Sequence, residues 1–181
     1  MKKSTLISAL SIAFTLLISM GAQAQTFPKM DKSPMDAASY PSSYKVAEKT
    51  IKVVYSRPFL NGRSLDKLAP KGEVWRTGAN EAAEITFYKT VKFDGKKIAP
   101  GTYTLFTIPN GENWTVILSS KLNVWGSYFY KESDDIARMD VPVSSSETSL
   151  ENFSIAFDEK DGMVHMHMGW GTMRLDVPFA I

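Results

Sequence analysis

Apolar and polar positions alternate through most of the chain. The alternation is clearest in Thr50–Tyr55 (TIKVVY), Glu84–Tyr88 (EITFY), Thr102–Ile108 (TYTLFTI), Trp114–Leu118 (WTVIL), Phe153–Phe157 (FSIAF) and Met163–Trp170. A period of two puts successive side chains on opposite faces, and β-branched and aromatic residues suit a half-buried pleated surface. Four dipeptides punctuate these runs: Asn61-Gly62, Asp94-Gly95, Asn110-Gly111 and Asp161-Gly162. Each tolerates the positive φ that tight hairpins require, and three of the four join two strand candidates. Helical signal is confined to Ser64–Ala69 (SLDKLA), one turn with Ser64 as N-cap. About ten short strands at intervals near ten residues predict an all-β fold. The expected form is an antiparallel β-sandwich or jelly-roll-like domain with very little helix.

The amino terminus departs from this pattern. Met1-Lys2-Lys3 is followed by an apolar stretch from Leu6 to Met20 and then by Ala22-Gln23-Ala24. Positive charge, apolar core and small-residue exit come in the order of a signal peptide, and the apolar run is short for a membrane span, which takes roughly 20 residues. Residues 1–24 are therefore expected to be a signal peptide cleaved after Ala24. The mature protein is then periplasmic or secreted, with no stable membrane span. Residues 25–43 read as an extended lead-in. Pro28, Pro34 and Pro41 disfavour helix there, and Phe27, Met30, Met35 and Tyr40 offer side chains that would pin it to the domain if it is not a loose tether. Residues 44–181 are expected to form a single β domain. Removing 24 of 181 residues leaves 157, a size that buries about 68–70% of its unfolded surface without covalent staples.

Composition narrows the chemistry. The chain has no cysteine, so disulfides, a lipid-modified cysteine and a thiol nucleophile are all excluded. Its 21 basic side chains include Lys2 and Lys3 of the signal. Without them 19 basic groups face 19 acidic ones, and no lysine-rich run exists. Nucleic acid is not an expected partner.

The densest cluster of functional side chains is Trp75-Arg76-Thr77-Gly78-Ala79-Asn80-Glu81. It places an aromatic ring, a guanidinium, a hydroxyl, an amide and a carboxylate around one glycine. Arginine offers a planar fork for carboxylate or phosphate, asparagine both donates and accepts, and glycine lets the backbone approach a ligand. Arg57 and Arg63 add positive charge nearby, and Trp125 adds a second ring. The expected ligand-binding residues are Arg57, Arg63, Trp75, Arg76, Asn80, Glu81 and Trp125. The competing view makes the block a structural corner, with Arg76 paired to Glu81 or capping carbonyls and Trp75 in the core.

Other constellations are weaker. His165 and His167 share a strand face, and Asp158, Glu159 or Asp161 lies within reach across the hairpin. Catalytic zinc typically has three protein ligands, so the favoured assignment is a solvated outer face with Met166 and Met168 pointing inward. No metal and no cofactor are expected. Ser64-Leu65-Asp66-Lys67 matches S-x-x-K, and Arg76-Thr77-Gly78 imitates K-T-G, but the spacing is too tight and helix capping explains Ser64 better. Neither Asp134-Asp135 nor the Asp158–Asp161 cluster carries the acid ladder of a calcium loop. There is no G-x-S-x-G elbow, P-loop or G-x-G-x-x-G. In Trp125-Gly126-Ser127-Tyr128-Phe129-Tyr130, strand alternation would put Trp125, Ser127 and Phe129 on one face and Tyr128 and Tyr130 on the other. One face would pack inside, and the other would stack on a sugar or lie against a partner.

Several blocks carry a resemblance: Ser33-Pro34-Met35-Asp36 with Tyr40-Pro41; Tyr55-Ser56-Arg57-Pro58 with Asn61-Gly62-Arg63; Val74-Trp75-Arg76-Thr77-Gly78-Ala79-Asn80-Glu81-Ala82; and Gly101–Pro109 with Trp114–Ile117 and Trp125-Gly126. From about Ser33 onward the chain resembles the exported bacterial family catalogued as domain of unknown function 2911. The W-R-T-G-A-N-E-A block is the most specific part. The resemblance implies a compact β domain behind a signal peptide and no established chemistry. The asparagine synthetase label carried by some members has no counterpart here, because there is neither an N-terminal cysteine nucleophile after cleavage nor a nucleotide loop. Ala83 stands where threonine is expected, and His165 and His167 match no signature of the family.

Three functions remain open at this level. The leading one is a non-catalytic exported binding module for a glycan, a peptide or a small anion. The second is a hydrolase with Glu81 as general base, with or without a metal. The third is an envelope scaffold that recruits a protein partner. Oligomeric state is not readable from the sequence.

Overall fold

A computed structural model describes residues 25–181. The signal peptide expected at 1–24 lies outside them. The fold is all-β. Ten strands occur in the order β1 (Met35–Tyr40), β2 (Ile51–Ser56), β3 (Ala83–Phe87), β4 (Val91–Phe93), β5 (Lys96–Ile98), β6 (Gly101–Asn110), β7 (Asn113–Ser119), β8 (Asp135–Pro142), β9 (Ser144–Lys160) and β10 (Met163–Ala180). Helix among the described residues is limited to the turn Leu65–Leu68 and a 3-10 turn at Glu132–Asp134. Ser64 occupies the N-cap position with extended backbone, but its side chain makes no capping bond. No helix among the described residues is long and apolar enough to cross a membrane.

The strands form two antiparallel sheets. The six-stranded sheet runs β1-β2-β3-β6-β7-β8 and the four-stranded sheet β5-β4-β10-β9. The alternation in sequence becomes an alternation of faces. Ile51, Val53 and Tyr55 of β2, Ile85 and Phe87 of β3, and Trp114, Val116 and Leu118 of β7 join Phe153 of β9 and Val164, Met166, Met168 and Trp170 of β10 in one buried cluster. Burial of these apolar faces supplies the main folding free energy, at roughly 25 cal/mol per Å² removed from water. The three hairpin dipeptides turn as expected, with Asp94-Gly95, Asn110-Gly111 and Asp161-Gly162 joining β4 to β5, β6 to β7 and β9 to β10.

Two features depart from the sequence pattern. The segment 25–43 is partly strand: β1 pairs in register with β2 from Met35↔Ser56 to Tyr40↔Ile51. The second feature lies in β10. His165 Nδ1 and Asp176 Oδ1 are 2.7 Å apart, although eleven residues of straight strand span more than about 30 Å. β10 therefore doubles back, and Gly171 (φ +57°) sits at the bend. Inward residues continue beyond it at Met173, Leu175, Val177 and Phe179.

The outer face of the six-stranded sheet carries a second, smaller core. Phe106 of β6 and Ile117 of β7 are covered by Ala82 and Val124, with Val74, Ile108 and Tyr130 packed around them. The covering residues belong to two connecting segments, 74–82 and 120–131.

Candidate functional site: a corner that carries an aromatic loop

Segment 74–82 begins as a structural piece. The Trp75 N–H donates to the Thr107 carbonyl at 2.7 Å, and the Thr107 N–H donates back to Trp75 at 3.0 Å. Trp75 is only 4% exposed. It stacks on Trp170 and meets Trp114 and Phe153 edge to face. The expected ligand-binding tryptophan is thus a core residue.

Beyond Trp75 the chain bends sharply. Thr77, fully buried, has φ +52°. This is an outlying conformation for a β-branched residue and costs about 1–3 kcal/mol. Its Oγ1 donates at 3.2 Å to the Thr107 Oγ1. A Cβ on Gly78 would stand 3.0 Å from the Ser56 carbonyl oxygen, so the corner lies tight against β2. Asn80 also has positive φ, and the Ala83 N–H closes the corner on the Arg76 carbonyl at 3.0 Å.

The corner then holds the second segment through main-chain bonds. The Gly126 N–H donates to the Asn80 carbonyl at 2.9 Å, and the Ala82 N–H donates to the Val124 carbonyl at 3.0 Å. Glu81 and Trp125 form an antiparallel bridge. The aromatic run does not alternate like a strand, because it is a turn. Trp125, Tyr128 and Phe129 are 55%, 81% and 66% exposed. Tyr130 turns inward onto Phe106, with ring centroids 5.3 Å apart. The Tyr130 hydroxyl donates to Asp135 Oδ2 at 2.8 Å and contacts Arg138, whose Nε donates to the same oxygen at 2.6 Å. Burial first, and the Asp135 bond second, push the Tyr130 phenol up to about 12.

The exposed rings border a cleft of about 640 Å³, lined also by Lys121, Lys131 and Asp134. Arg76 lies half-buried beside this loop. Burial lowers its pKa from the usual guanidinium value, with the Tyr128 phenol acting in the opposite sense. Among the described residues it neither pairs with Glu81 nor caps a carbonyl, and its Nε is shielded from solvent without a hydrogen-bond partner.

The other expected residues divide clearly. Asn80, Glu81 and Trp125 gather with Arg76 at the corner. Asp31 lies beside Asn80, and its carboxyl is held below the usual range by the Ser33 N–H first and the Asn80 side chain second. Arg57 is a tie between strands. It donates to Asp36 Oδ2 (3.0 Å), the Phe153 carbonyl (3.2 Å) and Ser154 Oγ (2.7 Å). Arg63 caps its own loop through the Leu60 and Phe59 carbonyls and borders a different groove with Leu65 and Thr172. Tyr128, Phe129, Lys121 and Lys131 were absent from the expected set. Their only sequence signal was the aromatic run and its lysine neighbours.

The histidines lie on the outer face of the four-stranded sheet, with Met166 and Met168 inward as expected. His167 Nε2 is 2.9 Å from Asp158 Oδ1, and the two imidazoles stack with centroids 6.2 Å apart. His165 is buried rather than solvated, because the returning half of β10 brings Asp176 against it. No group of three or more ligating side chains among the described residues is arranged to hold a metal.

The fold and site define an all-β domain of two antiparallel sheets with an aromatic, charge-rimmed cleft on one connecting loop. Residues 33–179 match the family model described as protein of unknown function (DUF2911), and the chain belongs to that family. Comparisons with curated proteins and with solved structures gave no match.

Proposed function

We propose that this protein is an exported, non-catalytic glycan-binding module built on a β-sandwich, and that its ligand lies in the cleft formed by Trp125, Tyr128 and Phe129. One observation carries the proposal: three aromatic rings stand exposed on a single loop whose backbone is fastened to a rigid corner. Exposing large rings is costly, and clustered exposure marks a binding surface. The flat faces of these rings suit the apolar C–H faces of sugar rings, while Lys121, Lys131 and Asp134 on the rim suit hydroxyl groups. The cleft volume, about 640 Å³, falls within the range of small-ligand sites.

The hydrolase reading finds less support. Glu81 borders a second cleft with Glu84, but Glu81 is exposed and the Glu84 carboxylate is taken up by the Asn123 N–H at 3.0 Å, whereas a general base works within reach of its substrate and of a partner acid. The testing experiment is intrinsic tryptophan fluorescence during titration with neutral and acidic oligosaccharides. Binding should perturb the emission of wild type and vanish in Trp125→Ala. An emission change that survives in Trp125→Ala would place the ligand elsewhere.

A further inference from the structure

Arginine side chains in this protein are consistently satisfied, with one exception. Of the five arginines in the chain, Arg57 makes three side-chain hydrogen bonds, Arg63 two, Arg174 three, and Arg138 is ion-paired to Asp135. Arg76 makes neither a hydrogen bond nor an ion pair among the described residues, yet it is half-buried and its Nε is closed to water. Its Nε has lost water without gaining a protein acceptor, which is unfavourable, and the terminal nitrogens of the fork are left without a protein partner among the described residues. The Tyr128 ring neighbours the guanidinium. Tyr128 is also a wall of the aromatic cleft. Arg76 does not line the cleft itself, but its own carbonyl is bonded by Ala83 while Asn80, Glu81 and Ala82 fasten the aromatic loop, so its guanidinium stands at the base of the surface where sugar rings would stack.

We infer that the ligand is an acidic glycan and that Arg76 receives the carboxylate of a uronic-acid-type sugar stacked on the aromatic loop. This inference rests on the glycan reading. The guanidinium fork matches the two oxygens of a carboxylate in plane. Arg76 adds a planar fork to the point charges of Lys121 and Lys131, and Asp134 and Glu81 nearby disfavour a densely sulfated chain. Arg76 also gives the corner a purpose beyond support. The strained turn at Thr77 and the close approach of Gly78 to Ser56 fix the backbone immediately after Arg76.

The test is a glycan array on which each uronic-acid oligosaccharide is paired with its own methyl ester, alongside neutral oligosaccharides. It is probed with the protein expressed from its full chain. The ester preserves the sugar skeleton and removes only the charge. Wild type should retain acids roughly tenfold or more better than their esters, as expected for loss of a charge-assisted pair. Arg76→Gln should bring that ratio to about one, and Arg76→Lys, which keeps charge without the fork, should restore it only in part. Retention of neutral glycans or esters as strongly as acids would overturn this inference and leave the glycan reading standing. An acid preference that persists in Arg76→Gln would overturn the role of Arg76. Failure to retain any glycan would overturn both. The acid-to-ester comparison on wild type needs no variant, so a misfolded Arg76→Gln would not protect the inference.

Discussion

Trp75 and Trp170 stack with ring centroids 5.5 Å apart and planes 17° from parallel, and this contact joins the corner to the four-stranded sheet. Trp75→Ala removes this stack and two edge-to-face contacts together. The expected loss is about 3–5 kcal/mol, measured by urea denaturation. A loss under 1 kcal/mol would show that Trp75 does not anchor the core.

Trp125→Ala addresses the opposite kind of tryptophan. Its ring is half-exposed, and the loop is held by main-chain bonds. Stability should change by no more than about 0.5 kcal/mol, while glycan retention is lost. A large destabilisation in the same denaturation assay would make Trp125 a packing residue.

Gly126 is a backbone requirement of the loop. It has φ +65°, and a Cβ there would meet the Tyr128 ring at 2.7 Å. Gly126→Ala should cost about 1–2 kcal/mol for the left-handed conformation. It should also shift the Tyr128 ring resonances in NMR spectra. Unchanged resonances would contradict the observed contact.

Arg57→Lys keeps the charge but cannot reproduce bonds to Asp36, Phe153 and Ser154 together. Stability should fall by about 1–3 kcal/mol, and hydrogen exchange should quicken first in β1. Uniform quickening across both sheets would show that Arg57 is not specific to this edge.

Tyr130 supplies a pH test. Its folded pKa, about 12, lies above the ordinary phenol value of 10.0. The folded state therefore holds the phenolic proton more tightly. The associated stability is fully present below about pH 10 and is lost as pH rises through the folded value. Tyr130→Phe should remove the latest tyrosinate absorbance change and flatten stability between pH 10 and 12. An unchanged alkaline profile would place the elevated phenol elsewhere.

The sheets were legible where β-branched and aromatic residues alternate, as in β2, β3, β6 and β7. β1 was obscure because Ala37, Ala38 and Ser39 have weak strand preference and prolines flank them. β8 was obscure because Arg138 and Asp140 make an edge strand look like a charged loop. The return of β10 was hidden because inward residues recur on both sides of Gly171 without a polar break. The W-R-T-G-A-N-E block stands out in the sequence and forms a tight corner in the fold, but residue type could not distinguish inward Trp75 from outward Trp125. Arg57 and Arg63 looked available because their partners are mostly main-chain carbonyls, which leave no mark in sequence. Tyr128 and Phe129 were read as opposite faces of a strand, one of them buried, because aromatic residues are more often core than surface; the turn exposes both.

The division of labour between the corner and its loop bears on how new specificities arise. Gly126 and Ala82 engage Asn80 and Val124 through peptide groups, so the fastening is indifferent to the side chains at 125, 128 and 129. Mutational drift at those three sites can change the exposed surface while the scaffold beneath stays unchanged. The same property makes the loop a natural position for randomised libraries, with cysteine-free folding as a practical advantage.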